Sequence, residues 1–300
     1  MHRNAYILLP ATMLFWAGDV VAGKLAVGHV SPMVLTALRW SLTMIGLAVL
    51  GRRHLAADWP VLRPRLWFLM LLGFLGFTVF SVALYGALLY TSATNVSIEQ
   101  GGMPAFVFAA SFALFGTRTT AAQTAGFLIS FAGVAVTATH GEVRRLLHLD
   151  MNSGDALMLL AVLAYGIYTA ALRLRPQVHW MSLMTVLCLG ATLGAVPLVI
   201  AEAAAGALIV PDATGLALVI YVVVFPSLLG QAFYIRGVEL IGANRAGLFI
   251  NFLPLWGALL AVLILGENFR LFHALGLALV LAGVLLAEYG GRKFAPAGPV

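Results

Sequence analysis

The stretch Gly237–Tyr289, GVELIGANRAGLFINFLPLWGALLAVLILGENFRLFHALGLALVLAGVLLAEY, decides how the chain is read, because its pattern occurs twice. Moved back by 150 residues, Pro254 falls on Pro104, Gly266 on Gly116, Gly276 on Gly126 and Gly283 on Gly133, each inside an apolar run. A period of that length is a domain-sized unit and not a short solenoid repeat. In each copy a helix interrupted by proline ends at glycine, and a second helix with glycines seven apart follows. Paired, interrupted apolar helices at matching places in two halves are the sequence mark of a transporter built from repeats, with its site between them.

Composition points the same way. Hydrophobic residues make up 62% of the 300 and charged residues 9%, and the mean hydropathy is +1.01. A soluble domain carries roughly a quarter charged residues, so the chain reads as an integral membrane protein. A spanning helix needs about 20 mainly apolar residues. Ten segments qualify, near 5–23, 32–50, 66–89, 95–115, 120–138, 154–172, 179–201, 214–235, 245–265 and 269–290. The fold class expected is therefore an all-α membrane protein of ten transmembrane helices in two five-helix repeats, 1–145 and 146–300, with the boundary in the charged connector 139–154.

Basic residues stay on the cytoplasmic side of short loops. With the N-terminus inside, Arg3, Arg52, Arg53, Arg63, Arg65, Arg118, Arg173, Arg175, Arg236, Arg245, Arg292 and Lys293 fall inside, against Lys24, Arg144, Arg145 and Arg270 outside. This asymmetry predicts both termini in the cytoplasm, and the membrane expected is a bacterial inner membrane. Five helices per half is an odd number, so the halves are expected to be inverted relative to each other. Topology accounts for the net charge of +6, and no nucleic-acid partner is invoked. The single cysteine, Cys188, sits in an apolar helix and excludes an intrachain disulfide or a cysteine-based metal site. His2 and Arg3 precede an apolar run that continues through Trp16 to Asp19, which reads as an uncleaved first helix and not as a signal peptide.

Polar residues fall on defined faces. Pro10 is expected to kink the first helix, and Ser31-Pro32 to open the second. Thr36, Arg39 and Thr43 form one stripe, as do Thr78, Ser81 and Tyr85 on the third helix. Asn95 and Glu99 lie four apart, followed by Gln100 and then Pro104. Tyr165 with Tyr168, Ser227 with Gln231 and Tyr234, and Asn244 with Asn251 share faces in the second half. Small residues at intervals of four, Ala122, Gly126 and Ser130, and again Ala274, Ala278 and Ala282, predict close helix packing within one protomer. The stretch from Gly51 to Arg65 reads as a basic loop.

The run Gly237–Glu267, with its Gly-Ala-Asn-Arg-Ala, its Leu-Pro and its closing Leu-Gly-Glu, resembles the EamA repeat of the drug/metabolite transporter superfamily. So do Phe15-Trp16-Ala17-Gly18, Ser31-Pro32 and Arg39-Trp40, and the likeness covers both repeats. The resemblance implies ten helices, both termini in the cytoplasm, a central cavity lined from both halves, and export of amino acids or other small metabolites, commonly linked to protons. Two positions depart from the family pattern: Asp19 stands where Asn is frequent, and the first repeat closes Phe115-Gly116-Thr117-Arg118 without the acid that Glu267 supplies in the second.

An ionisable group at the centre of a membrane helix costs about 2.5 to 3.5 kcal/mol on insertion scales and marks a function by default. From a rise of about 1.5 Å per residue, Asp19, Arg39 and Glu99 are each expected roughly 8 to 12 Å below the outer surface, in one layer. Asp19 and Glu99 are the candidate proton-coupling residues; the alternative is a permanent ion pair with Arg39, or, for Asp19, pairing with Lys24. The expected substrate contacts are Arg39 and Gln100 from the first half and Gln231 and Asn251 from the second, with Trp16, Tyr85, Tyr165, Tyr168, Tyr234 and Trp256 as aromatic walls. Gly266-Glu267 is expected to close a helix end. The function expected is a secondary active exporter of small amphipathic metabolites, amino acids first, that works by alternating access without a cofactor and is plausible as a monomer. The alternatives are an exchanger of phosphorylated sugars or nucleotide-sugars, or a membrane channel or scaffold. No HExxH, GxSxG or His/Cys cluster supports an enzyme.

Overall fold

The computed structural model describes residues 4–116, 120–142, 152–242, 246 and 249–292, with side chains as far as Ala287. The repeat boundary at 145/146, the pair Thr117-Arg118, Arg144, Arg145, Asn244 and Arg245 lie outside the described residues. Among the described residues the chain is all-helical.

Helix α1 spans Ala5–Leu25 with Pro10 inside it. Helix α2, Pro32–Leu50, opens as the sequence predicts, with Ser31 as N-cap and Pro32 at the first helical position. The expected basic loop is instead helix α3, Arg52–Leu62, followed by a 3₁₀ turn at Arg63–Arg65. It is an amphipathic surface helix, with Arg52, Arg53 and Trp59 exposed and Leu62 buried. Asp58 anchors it by accepting the His179 backbone N–H at 3.0 Å. Helices α4 (Leu66–Gly73) and α5 (Phe80–Ala87) are joined by a π-helical stretch, Phe74–Val79. Helices α6 (Ala93–Gln100) and α7 (Met103–Phe115) meet at a 41° bend. Helix α8 is Ala121–Ala138, opened by a reciprocal capping box between Thr120 and Gln123.

The later part begins with α9, Ser153–Ala171, capped by Asn152. Helix α10, Trp180–Ala204, and α11, Ala213–Val222, follow. A second π-helical stretch, Val223–Leu229, leads into α12, Gly230–Ile241. Helices α13 (Leu253–Leu265) and α14 (Leu271–Arg292) close the chain. The 150-residue correspondence recurs in the backbone. It carries the first π stretch onto the second, and Gly116 and Gly266 end α7 and α13 in the same left-handed conformation, φ 62° and 67°.

Among the described residues, seven helical segments are long and apolar enough to cross a membrane, and an eighth span is formed if the bent α6–α7 pair is counted as one. Leu253–Leu265 and Leu271–Ala287 are shorter apolar helices. Large apolar side chains such as Trp67, Ile7 and Leu128 are 81%, 70% and 67% exposed, which in so apolar a chain marks a surface made for lipid. Early and late helices interleave: α1 packs on α12 and α13, α2 on α10, α7 on α9, and α8 on α14.

The α8–α14 contact is close and internal, as the small residues predict, but only half of the predicted stripe makes it. Gly126 and Ser130 are buried, whereas Ala274, Ala278 and Ala282 are exposed. Gly276 and Gly283 face α8 in their place: a Cβ on Gly283 would collide with the Gly126 carbonyl oxygen, and one on Gly133 would strike that of Gly276. The alanine spacing and the glycine spacing both suit a helix, and only packing decides which faces inward. Gly283→Val is expected to cost about 1–3 kcal/mol by overpacking and to lower the melting temperature in detergent, while Ala282→Val leaves it unchanged. Equal effects of the two substitutions would contradict this contact.

Candidate functional site

A cavity of about 470 Å³ lies among α1, α2, the two π stretches, α7, α9, α12, α13 and α14. That is within the roughly 300–1,000 Å³ of small-molecule sites. An ion pair forms part of its lining. Arg39 Nη1 donates to Asp19 Oδ2 at 2.7 Å and to the Tyr85 hydroxyl at 2.5 Å, and Tyr85 in turn donates to Asp19 Oδ1 at 2.9 Å. Arg39 Nε donates to Ser227 Oγ at 2.9 Å. The guanidinium also lies 4.7 Å from the Trp40 ring centroid, a cation–π contact. The pair is buried, the side chains of Arg39 and Asp19 being 7% and 9% exposed.

The local backbone explains how Ser227 and Trp16 reach their places. Within Val223–Leu229 the i→i+5 pattern and Pro226 disturb the regular helical ladder and leave carbonyls to be satisfied from outside it. Ser227 Oγ donates to Val222 O at 2.7 Å while accepting from Arg39, and Trp16 Nε1 donates to Pro226 O at 3.1 Å. In the matching stretch, Thr78 Oγ1 donates to Ala191 O at 2.6 Å and so pins the α4–α5 junction to α10.

The walls are aromatic. Trp40 stacks on Phe77 with centroids 4.3 Å apart and donates to Ser81 Oγ at 3.1 Å. Phe77 meets Tyr168, Phe80 meets Tyr165, and the two tyrosines lie 5.4 Å apart. Trp16 packs at 5.4 Å from Tyr234 on the other side.

Of the residues expected from sequence, Trp16, Asp19, Arg39, Gln100, Tyr165, Tyr168, Gln231, Tyr234 and Asn251 border the cavity. Three do not. Tyr85, 2% exposed, sits behind the ion pair and holds it. Trp256 is outside the lining. Glu99 is fully buried and its carboxyl oxygens have no hydrogen-bond partner, so of the two carboxylates that could pair with Arg39 only Asp19 does. Depth along a helix fixes a level in the membrane but not an azimuth. Lys24 does not pair with Asp19 either; its amine donates to Leu88 O at 2.7 Å and Thr91 O at 2.8 Å. Trp40, Phe77, Phe80 and Ser227 are lining residues that sequence reading did not assign to the site. For Ser227 the signal was present, since it shares a helical face with Gln231 and Tyr234.

The end of the molecule beyond the ion pair is tied by polar contacts. Gly266 closes α13 as expected, and Glu267 then caps α6, accepting from Ala93 N, Thr94 N and Thr94 Oγ1 at 2.8, 2.9 and 2.7 Å. In the loops, His29 Nδ1 meets Asp212 Oδ2 at 2.8 Å and Ser31 Oγ donates to Glu202 at 2.6 Å. The Gly215 backbone N–H and the His29 ring hold the Asp212 carboxyl below its ordinary value of 3.8.

Removing one partner of a buried ion pair leaves the other uncompensated. Asp19→Asn is therefore expected to cost about 3–5 kcal/mol, and Asp19→Asn combined with Arg39→Gln to recover much of it, read as melting temperatures in a double-mutant cycle. Additive losses would mean that the two residues do not depend on each other. For Asp212 the depressed folded value means that its contribution is present above 3.8 and is lost as pH falls through the folded value. Asp212→Asn should flatten that acid limb of the melting profile and leave the neutral region unchanged.

Comparison with known proteins supplies the family. The model of the EamA-like transporter family matches residues 3–139 and again 152–289. The chain is similar to YetK of Bacillus subtilis, described as an uncharacterized transporter, at 26% identity over 95% of this chain and 87% of that protein. It is 23% identical to YyaM of the same organism, also an uncharacterized transporter, over 96% and 94%. An uncharacterized transporter of Archaeoglobus fulgidus is 26% identical over 95% and 98%. One solved structure, described only as a crystal structure of a protein, superposes with a TM-score of 0.64 at 19% identity, over 98% of this chain and 100% of its own, and shares the fold. With the family pattern matched twice along an all-helical, lipid-suited chain, this protein belongs to the EamA-like transporter family of integral membrane proteins.

Proposed function

We propose that this membrane transporter is a secondary active exporter of small amphipathic metabolites, amino acids or related zwitterions first, working by alternating access between two inverted halves, 1–145 and 146–300. Both termini would lie in the cytoplasm, and the membrane would be a bacterial inner membrane. The observation that carries the reading is a cavity whose lining includes a neutral acid–base pair and whose walls are aromatic.

A zwitterion suits that lining because it can exchange partners with the pair: its carboxylate takes the guanidinium of Arg39 and its ammonium takes Asp19. No charge is left uncompensated in a dry place, where an unpaired charge is expensive. The aromatic faces of Tyr165, Tyr168, Trp40 and Trp16 then accept the apolar part. A multiply charged phosphate fits less well, since the one guanidinium among the described lining residues is already shared among Asp19, Tyr85 and Ser227. The bend between α6 and α7 and the two π stretches, all in contact with the cavity, are the natural places for the backbone to flex as the halves rock.

Counterflow of labelled amino acids in proteoliposomes tests the reading. Uptake that unlabelled amino acid competes away is expected, reduced at least tenfold in Arg39→Gln, while Tyr168→Ala raises the half-saturating concentration for bulky side chains and spares small ones. Folded protein that gives no counterflow across the whole amino-acid panel loses this cargo; cationic drugs and phosphorylated sugars are then the next panels.

A further inference from the structure

Behind the cavity wall, along α6 and at the starts of α9 and α14, lies a second group of buried polar side chains that the site above does not use, with Asn95 and Glu99 one turn apart on α6. Glu99 is 0% exposed, and neither of its carboxyl oxygens has a hydrogen-bond donor. Asp155, in the first turn of α9, is also 0% exposed. Its Oδ1 accepts from Thr91 Oγ1 at 2.6 Å and from Asn95 Nδ2 at 3.5 Å, and its Oδ2 has no partner. Asn95 Nδ2 also reaches Thr91 Oγ1 at 3.1 Å, and Asn95 Oδ1 meets His273 Nε2 at 2.9 Å. His273 Nδ1 accepts the Arg270 backbone N–H at 2.9 Å, so the neutral ring carries its proton on Nε2 and donates to Asn95.

The only two donors that reach a carboxyl here, Thr91 Oγ1 and Asn95 Nδ2, both serve Asp155 Oδ1, and three carboxyl oxygens remain without any. None of the other charged or titratable groups described around the pair supplies a donor to those three oxygens. Lys24 is bound to the carbonyls of Leu88 and Thr91, and Glu267 to the start of α6. The buried Nδ1 of His140 has no partner of its own, and neither His140 nor Arg270 bonds any of the three free carboxyl oxygens. Two ionised carboxylates so placed would be an uncompensated double charge in a dry interior. The Asp19–Arg39 pair has no such deficit.

We infer that Glu99 and Asp155 form a proton-binding carboxyl pair, Glu99 carrying the proton and Asp155 the charge. The assignment within the pair follows from the donors: Thr91 and Asn95 stabilise a carboxylate at Asp155 and nothing does so at Glu99. The step is a simple ionisation, in which the Glu99 O–H bond breaks and the proton passes to water. Its mechanical consequence lies in its position. Glu99 is next to Gln100, and Gln100, Gly101, Met103 and Pro104 line the cavity at the 41° bend between α6 and α7. Ionising Glu99 places a new charge at that hinge, and the charge is relieved only by admitting water or by turning the segment toward the cavity. This proton site rests on the transport reading only for its coupling to cargo, and it assigns the coupling to the hinge and not to the Asp19–Arg39 pair.

The test is infrared spectroscopy of the purified, cargo-free protein in lipid nanodiscs, following the carboxylic-acid C=O stretch against pH. A protonated carboxyl band is expected to persist at neutral pH, to vanish in Glu99→Gln and to stay in Asp212→Asn. Asp155→Asn should let the proton leave at least one pH unit lower, a tenfold loss of proton affinity, because the neighbouring charge is gone. Should Glu99→Gln fail to fold, Glu99→Asp keeps a carboxyl and must shift the band. A spectrum without the band at neutral pH, or a band unmoved by changes at Glu99, overturns the proposal; no shift in Asp155→Asn overturns the pairing. In proteoliposomes Glu99→Gln should keep counterflow and lose its response to an imposed pH gradient. If counterflow fails for every amino acid while the band behaves as expected, the cargo is wrong and the proton site stands.

Discussion

A guanidinium cannot be left alone in a membrane interior, and the middle of this protein is arranged around that constraint. Arg39 is satisfied by Asp19 from α1, Tyr85 from α5 and Ser227 from the π stretch before α12, with the Trp40 face beside it. One side chain therefore ties together segments from both ends of the chain. Each partner is constrained in turn: Tyr85 must be buried to bridge Arg39 and Asp19, and Ser227 must leave the ordinary helical ladder to reach Arg39. The same contacts form a polar part of the cavity lining, so the group that stabilises the centre is also the one a substrate would meet.

Two irregular backbone stretches make that arrangement possible. A regular helix satisfies its own carbonyls and offers few polar groups to its neighbours. The π-helical turns at Phe74–Val79 and Val223–Leu229 give up that self-sufficiency. The second of them takes the Trp16 indole on Pro226 O, while Thr78 in the first reaches out to Ala191 O. Because the two stretches coincide under the 150-residue shift, the irregularity belongs to the repeat and is not a local accident.

The carboxylates illustrate how neighbours set chemistry. Asp19 meets a guanidinium and a phenol, Asp155 meets a hydroxyl and an amide, Glu267 meets two backbone N–H groups at a helix start, and Glu99 meets no donor. In low dielectric these differences exceed anything intrinsic to Asp or Glu. The acid without donors is the one suited to carry a proton, and it lies at the helix break beside the cavity.

Read alone, the residues established the class of the protein, its helical segments, the doubled pattern and several of the polar and aromatic residues that border the cavity. Those properties depend on apolar run length, on proline and glycine positions, and on periodicity, all of which are local. The sequence also marked Asp19, Arg39 and Glu99 as costly and therefore meaningful. What it left open was azimuth. Asp19 and Glu99 read as equals because rise per residue gives depth alone, and only the packing of α1, α2, α5 and α6 put one against Arg39 and the other away from it. Asp155 drew no reading from the sequence, and only the packing of α6 beside α9 brought it against Asn95. The alanines of α14 looked as suitable for close packing as its glycines until the fit against α8 chose between them. Partner choice between helices is made by side chains far apart in sequence, and that is why only the tertiary structure decided it.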